Sequence, residues 1–514
     1  ILSFSTSLML RSQVLDYGSE LHEFDPFFNF RATEFLVNNG LVEYYNWHDV
    51  KSWYPNGRDI SATSQVMLHV TAATTYQIFG SNMELYDFTI LFPGIVGALT
   101  TIIIFALVRV IGGTTAGLFA SLFFAISVPI IIRGFMGWFK SEPLGLFYGL
   151  FGLYLFLSGI KSDNKKITLS KLIGGGIFMA LGFASWGGIQ FFIIPICIFI
   201  FVLPFLRKDF GFLIWSIPAF VISLLLTTMV FERPGVDFVL GLGGFALILP
   251  TIFLITCSFV QKFSKSENQI RNYLILLLTI ILIGAFLIMF NTENQFLQYP
   301  NYRYLNVINP FLTTTNPLVD SVSEHSVTST YYSFFMHSVL MIFAGLGSWI
   351  IFNKIKFESS KDFPKHLIEF WIIFNKIKFE SSKDFPKDLM VFVLIFGLVG
   401  AYVGSAFVRL ELFTSLSIIF LSSIGLSIII REILNCKNQL HPIRNNIIKF
   451  SYVGGILILI IIPLTFSVSN WNSILDTPAI ILNGGSIYNV VTNDWKESLE
   501  WIKLNTPPDS IILS

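Results

Sequence analysis

The sequence predicts an all-α polytopic membrane protein, and three observations carry that prediction. Only 13 % of the 514 residues are charged, 54 % are hydrophobic, and mean hydropathy is +0.69. Apolar windows long enough to cross a bilayer recur along most of the chain. Lysine and arginine collect in alternate loops, as the positive-inside rule requires of a multi-pass protein.

The windows lie near 88–111, 115–132, 143–160, 172–187, 189–206, 211–231, 236–260, 272–290, 333–352, 389–408, 411–430 and 449–468. Ile1–Leu10 reads as the tail of one further span whose beginning precedes the first residue, which gives about 13 helices. Residues 1–468 are therefore expected to form a transmembrane domain, and 469–514 the start of a C-terminal domain outside the cytoplasm.

Placing 11–87 outside puts Arg109, the cluster Lys161/Lys165/Lys166/Lys171, the loops 207–210, 261–271 and 353–388, and Arg431/Lys437/Arg444/Lys449 inside. One threading satisfies every loop. Within the inner loop 353–388, Trp349–Lys365 is repeated letter for letter as Trp371–Lys387. Solenoid repeats drift and come in longer arrays, so this reads as a recent duplication or an assembly error.

A net charge of +1 argues against nucleic acid as a partner. Cys197, Cys257 and Cys436 stand far apart, with neither a disulfide framework nor zinc spacing.

Four polar groups stand out on the outer side. In 22–40, Asp25-Pro26 reads as a helix start and Gly40 as its stop, with Phe27, Phe28, Phe35 and Leu36 suited to the membrane interface. In 131–147, Arg133, Lys140 and Glu142-Pro143 form the turn between two spans, where Glu142 could simply cap and the cations snorkel. The outer loop 291–332 carries Glu324 beside His325. Arg409 and Glu411 mark a helix junction, for which a solvated ion pair is the plain reading. Together they place Asp25, Glu142 and Glu324 on one face with Arg133 and Arg409, a set suited to a hard divalent cation and a phosphate.

The run EFDPFFNFRATEFLVNNG…YNWHDVKSWYPNGR (23–58) resembles the first outer loop of oligosaccharyltransferase catalytic subunits. ASWGG (184–188), SVSEH (321–325) and Arg409 occupy matching positions. The resemblance covers nearly the whole chain, and the first-loop and GWFKSEP style resembles archaeal members.

It implies a fold of the GT-C glycosyltransferase type. The implied reaction transfers a lipid-linked oligosaccharide from polyprenyl (dolichyl) phosphate or diphosphate to the Asn amide of N-x-S/T sequons, inverting at the sugar C1. Mn²⁺ or Mg²⁺ would assist. Asp25 and Glu142 would sit at the metal, Glu324 would reach it from the mobile loop, Arg133 would lie near the acceptor, and Arg409 would bind the donor phosphate. The implied partners are the lipid-linked donor, a sequon-containing polypeptide and membrane lipid. The implied location is the cell membrane, if the source is archaeal, with the site on the extracytoplasmic face.

Two departures are visible. Lys140 occupies the place where the family usually has the first acid of an Asp-x-Asp or Asp-x-Glu pair. A cation there would either repel a metal or pair with Glu142. The sequon-reading Trp-Trp-Asp-Tyr-Gly motif is expected beyond Ser514, so a chain of this extent should be inactive alone.

Alternative readings are another polyprenyl-phosphate-dependent glycosyltransferase such as a protein O-mannosyltransferase, an inactive paralogue, and a secondary transporter. The first is disfavoured because Glu23 and Asp25 are not adjacent. The last is disfavoured because ionisable residues are confined to span ends and loops.

Overall fold

The computed structural model describes residues 1–22, 24–207, 210–265, 268–294, 327–357, 386–435, 449–458, 494–507 and 510–511. Glu324, His325, Cys436 and the repeated segment from 358 to 385 lie outside these residues. Among the described residues, eight helices are long and apolar enough to cross a membrane. They fall on the predicted windows.

Leu85–Ile126 holds the first two windows in one run, broken at Gly113, whose φ of +81° is a left-handed conformation that side chains resist. Ser141–Lys161, Lys165–Ser185, Gly187–Leu206, Leu242–Phe263, Gln269–Phe286, Lys387–Ala406 and Val408–Leu434 are the other seven. Leu213–Met229, Val339–Asn353 and Lys449–Ile458 are shorter apolar helices at three further windows. The only strands among the described residues are the two-residue pair His48–Asp49 and Arg58–Asp59 in the first loop.

Without a hydrophobic force between helices in lipid, close packing at small residues holds the bundle. A Cβ on Gly152 would lie 2.8 Å from the Met179 backbone, so Ser141–Lys161 and Lys165–Ser185 touch nearly main chain to main chain. Asn164 caps the second of these, its side-chain oxygen accepting from the Lys166 and Ile167 amides. Val408–Leu434 is the central helix. Gly347 meets it at Gly425, Gly400 at Ser417 and Gly404 at Thr414, each too close for a Cβ. At the opposite end from the outer loop, Arg207 donates through Nε to Asp388 at 2.9 Å, tying two spans together.

The turn that carries the candidate residues, 133–142, is held from below by Arg11. This guanidinium is buried and donates to Ser7 Oγ and the Ile130 carbonyl, and it lies where a Cβ on Gly97 or Gly134 would sit. The Arg11 carbonyl accepts from the Met136 amide at 3.0 Å. Gly137, at φ +87°, then donates to the Ile90 carbonyl and accepts from His22.

Candidate active site

The first-loop helix Phe24–Tyr45 brings Asp25 to the cavity. It starts at Phe24, so Asp25 is a first-turn residue and not the N-cap that Asp25-Pro26 suggests, and it is interrupted at Gly40 (φ 84°), where the spacing predicts a stop. In that first turn the helix dipole favours an anion. Its Oδ2 is 3.0 Å from Lys140 Nζ. The Lys140 ammonium also lies 4.4 Å from the Trp138 ring centroid, so the cation is held between a π face and a carboxylate.

Two neutral links fix the helix against this turn. Asn29, one turn after Asp25, donates to the Phe139 carbonyl at 2.9 Å, and its oxygen faces His69 Nε2 at 3.0 Å. His69 Nδ1 is 2.6 Å from the Tyr44 hydroxyl. Burial pushes the His69 pKa down to about 3, with Arg58 adding to the shift. A neutral ring carrying its proton on Nε2 satisfies all four groups: Tyr44 donates to Nδ1, Nε2–H donates to Asn29, and Asn29 donates to Phe139.

Glu142 stands in the first turn of Ser141–Lys161 and is only 1 % exposed. Arg133 and Arg409 approach its Oε1 at 3.8 and 3.5 Å. These are charge contacts beyond hydrogen-bond length. Neither carboxylate oxygen receives a hydrogen bond from the described residues. A buried unsatisfied polar group costs about 1–3 kcal/mol, so the expectation that Glu142 merely caps its helix is set aside. The carboxylate instead has two guanidiniums at Oε1, and among the described residues neither of its oxygens receives a hydrogen bond.

Asp25, Lys140, Glu142 and Arg409 line one cavity of about 1050 Å³. Arg58 and Arg233, to which the sequence reading gave no role, line it as well. Thr63 gathers them: Arg58 Nε donates to its hydroxyl at 2.8 Å, and Arg233 donates to its carbonyl at 2.6 Å. Arg58 also lies between the rings of Phe28 and Trp53, 4.2 and 4.6 Å from their centroids. Burial and the neighbouring Arg233 lower its pKa. With Asp237, the lining holds four cations and three acids, a surplus that favours an anionic ligand. The available signal was Arg233-Pro234-Gly235 at the turn between two predicted spans on the same side.

A family model described as "Oligosaccharyl transferase STT3, N-terminal" matches residues 11–361. The chain belongs to the STT3 oligosaccharyltransferase family. It is 24 % identical to the rice protein named dolichyl-diphosphooligosaccharide–protein glycosyltransferase subunit STT3B, over 98 % of this chain and 69 % of that protein. It is 25 % identical to the Dictyostelium discoideum STT3 subunit, over 100 % of this chain and 68 % of that one.

The apo crystal structure of the Archaeoglobus fulgidus oligosaccharyltransferase shares the fold, with a TM-score of 0.71 and 15 % identity. That match covers 99 % of this chain and 58 % of the archaeal one. The archaeal enzyme in complex with an inhibitory peptide and a dolichol-phosphate gives a TM-score of 0.69 at 14 % identity, over the same shares.

Within this STT3-family chain, three of the expectations about site residues change. Lys140 pairs with Asp25 and not with Glu142, because Glu142 is buried against Arg133 and Arg409 while the Asp25 carboxylate is exposed. Arg409 and Glu411 do not form a solvated pair. Arg409 faces Glu142, whereas Glu411 is buried and accepts from Ser333 Oγ at 2.5 Å, with His337 Nε2 at 2.9 Å. Lys140 is not a snorkelling residue, since its charged end is engaged within the site.

The oxygens that could face a hard cation are those of Glu142, which are buried and receive no hydrogen bond from the described residues, with Arg133 and Arg409 standing at Oε1. Asp25 offers its second oxygen, the first being engaged by Lys140. Among the described residues no group of three His, Cys, Asp or Glu converges to hold a metal.

Proposed function

We propose that the chain forms the membrane-embedded catalytic part of an oligosaccharyltransferase acting outside the cytoplasm. In this reading an oligosaccharide passes from a dolichyl-type phosphate or diphosphate to the Asn side-chain amide of an N-x-S/T sequon. The observation that carries it is Glu142, buried beside Arg133 and Arg409 with no hydrogen bond to its oxygens from the described residues, in a cavity that Asp25 also lines.

The acceptor amide is a poor nucleophile because its nitrogen lone pair is shared with its carbonyl. Asp25 and Glu142 accept its N–H bonds, which turns the amide and localises that pair. Arg133 sets a positive charge beside Glu142, 3.8 Å from its Oε1. The nitrogen attacks the sugar C1 as the C1–O bond to phosphate breaks on the opposite side, so the centre inverts. Arg409 draws the developing phosphate charge, with Arg58 and Arg233 lining the path of a second phosphate. Attack transfers one amide proton to a carboxylate.

Mn²⁺ or Mg²⁺, held by Glu142 and Asp25 together with Glu324, would supply additional positive charge at the carboxylates.

The test is glycosylation of a sequon peptide by the full-length protein in membranes with a lipid-linked donor. Transfer to peptides with N-x-S/T and not to those with Gln in place of Asn is expected, and Asp25→Ala should abolish it. Full activity in Asp25→Ala overturns the assignment.

A further inference from the structure

Trp138 is buried and carries two cations on its indole. Lys140 Nζ lies 4.4 Å from the ring centroid and the Arg133 guanidinium carbon 5.7 Å from it. These are the cations that face Asp25 at 3.0 Å and Glu142 at 3.8 Å. One buried side chain thus seats a charge against each of the two carboxylates of the candidate site. The indole is fixed in turn by the Phe135 ring, 5.3 Å away, and by the Trp138 amide, which donates to the Phe135 carbonyl.

The contact between Lys140 and Asp25 is built from both sides. The Lys140 amide donates to the Trp138 carbonyl at 2.7 Å. Phe139, between them, is fully buried, and its carbonyl accepts from Asn29, one turn beyond Asp25 on the same helix. The backbones of both partners are therefore tied together beside the ion pair. A surface lysine keeps its ammonium in water, because fixing the side chain costs rotamer entropy and desolvation. The Lys140 side chain is instead 10 % exposed, against 72 % for Asp25. The cation is the fixed member, and the carboxylate comes to it.

In the proposed reaction, on which this role rests, Asp25 accepts an N–H bond of the acceptor amide. Its Oδ2 faces the ammonium, so Oδ1 is the oxygen turned to the amide, and the ammonium decides how the carboxylate is oriented. We propose that Lys140, seated on Trp138, is a positioning residue that serves as the resident cation at Asp25, so that transfer needs no divalent ion at that carboxylate.

The full-length protein in membranes, stripped with EDTA and given a sequon peptide and a lipid-linked donor, tests it. The parent should keep its transfer in EDTA, with Mn²⁺ adding little. Lys140→Met should lose about a hundredfold in kcat, the effect of a misplaced catalytic group. Lys140→Arg should keep most of the transfer, since the charge remains. Trp138→Leu should lose about tenfold and Trp138→Phe less, because phenylalanine keeps a π face. Lys140→Asp should transfer only with Mn²⁺, an exchange of one cation for another that a purely structural lysine would not produce. Binding of a fluorescein-labelled sequon peptide in EDTA, read by polarisation, should weaken in Lys140→Met and not in Lys140→Arg.

Transfer by the parent that requires Mn²⁺, or Lys140→Met equal to the parent in EDTA, overturns this role and leaves the proposed reaction standing. Absence of transfer with every cation overturns the proposed reaction and this role with it. The parent in EDTA decides the matter even if Lys140→Met does not fold.

Discussion

Lys140 Nζ lies 3.0 Å from Asp25 Oδ2, so the cation at the turn neutralises the first-loop carboxylate and leaves Glu142 to Arg133 and Arg409. Lys140 itself is well enclosed, whereas the Asp25 side chain is 72 % exposed. Screening by water then limits the pair to about 1 kcal/mol of stability. Its larger consequence is electrostatic, because an ammonium beside a carboxylate competes with any divalent cation for the same oxygen.

Lys140→Asp should therefore raise Mn²⁺ affinity by at least tenfold, read by titration calorimetry on the purified protein. The change replaces a competing cation with an added oxygen ligand. Lys140→Met should raise it less, since it removes the competitor and adds no ligand. Equal affinity in all three proteins would mean that Lys140 does not bear on the metal.

Glu142 and Arg409 should separate in kinetics although they touch. Glu142→Gln keeps the shape but removes the charge that accepts the amide proton, and should lower kcat by about 10²–10⁴. Arg409→Gln removes a charge-assisted contact to the donor phosphate, which is made before and during transfer, and should raise the donor KM about 10–100-fold. A KM effect in Glu142→Gln with kcat unchanged would reverse these roles.

Much of this was legible in sequence, for identifiable reasons. Spanning helices announce themselves because lipid demands long apolar runs with every backbone group paired internally, and Leu85–Ile126 or Ser141–Lys161 could hardly be read otherwise. Asp25, Arg133, Glu142 and Arg409 were singled out by residue type and by resemblance, and the structure gathers Asp25, Glu142 and Arg409 at one cavity with Arg133 against Glu142. Their partners were not. Lys140 reaches Asp25 across the whole first loop, and Arg58 and Arg233 meet at Thr63 from segments that share no pattern. Glu411 reads as the companion of Arg409 two residues away, yet at a helix junction the two side chains leave in different directions.

That buried group gives a stability prediction. Glu411 joins the central helix to Thr330–His337, through Ser333 and His337, where the chain emerges from the loop that carries Glu324. Thr328 fastens the same end, donating through its hydroxyl to the Gly404 carbonyl at 2.8 Å. Glu411→Ala should cost about 1–3 kcal/mol for each buried donor it leaves without an acceptor. Glu411→Gln, which still accepts, should cost markedly less. Thermal unfolding in detergent distinguishes them, and equal losses would mean that packing and not the hydrogen bonds holds this junction.

His69 gives a pH dependence whose sign follows from its burial. Its pKa in the folded protein is about 3, below the ordinary value of 6.5, so between these limits the unfolded loop binds a proton that the folded loop does not. The stabilisation is complete above pH 6.5 and is lost as pH falls toward 3, at up to about 1.4 kcal/mol per pH unit. Protonation would also place a donor against the Tyr44 hydroxyl, which now donates to the same nitrogen in the neutral ring. Amide hydrogen exchange in Val66–Thr75 and Phe24–Tyr45 should therefore accelerate between pH 6 and pH 4, beyond the trend of the spanning helices. His69→Gln should lose the extra acceleration, because an amide can bridge Tyr44 and Asn29 without taking up a proton. Since Asn29 ties the helix of Asp25 to Phe139, transfer activity should fall over the same pH range in the parent and be flatter in the variant. An acid profile shared by both proteins would place the titrating group elsewhere in the site.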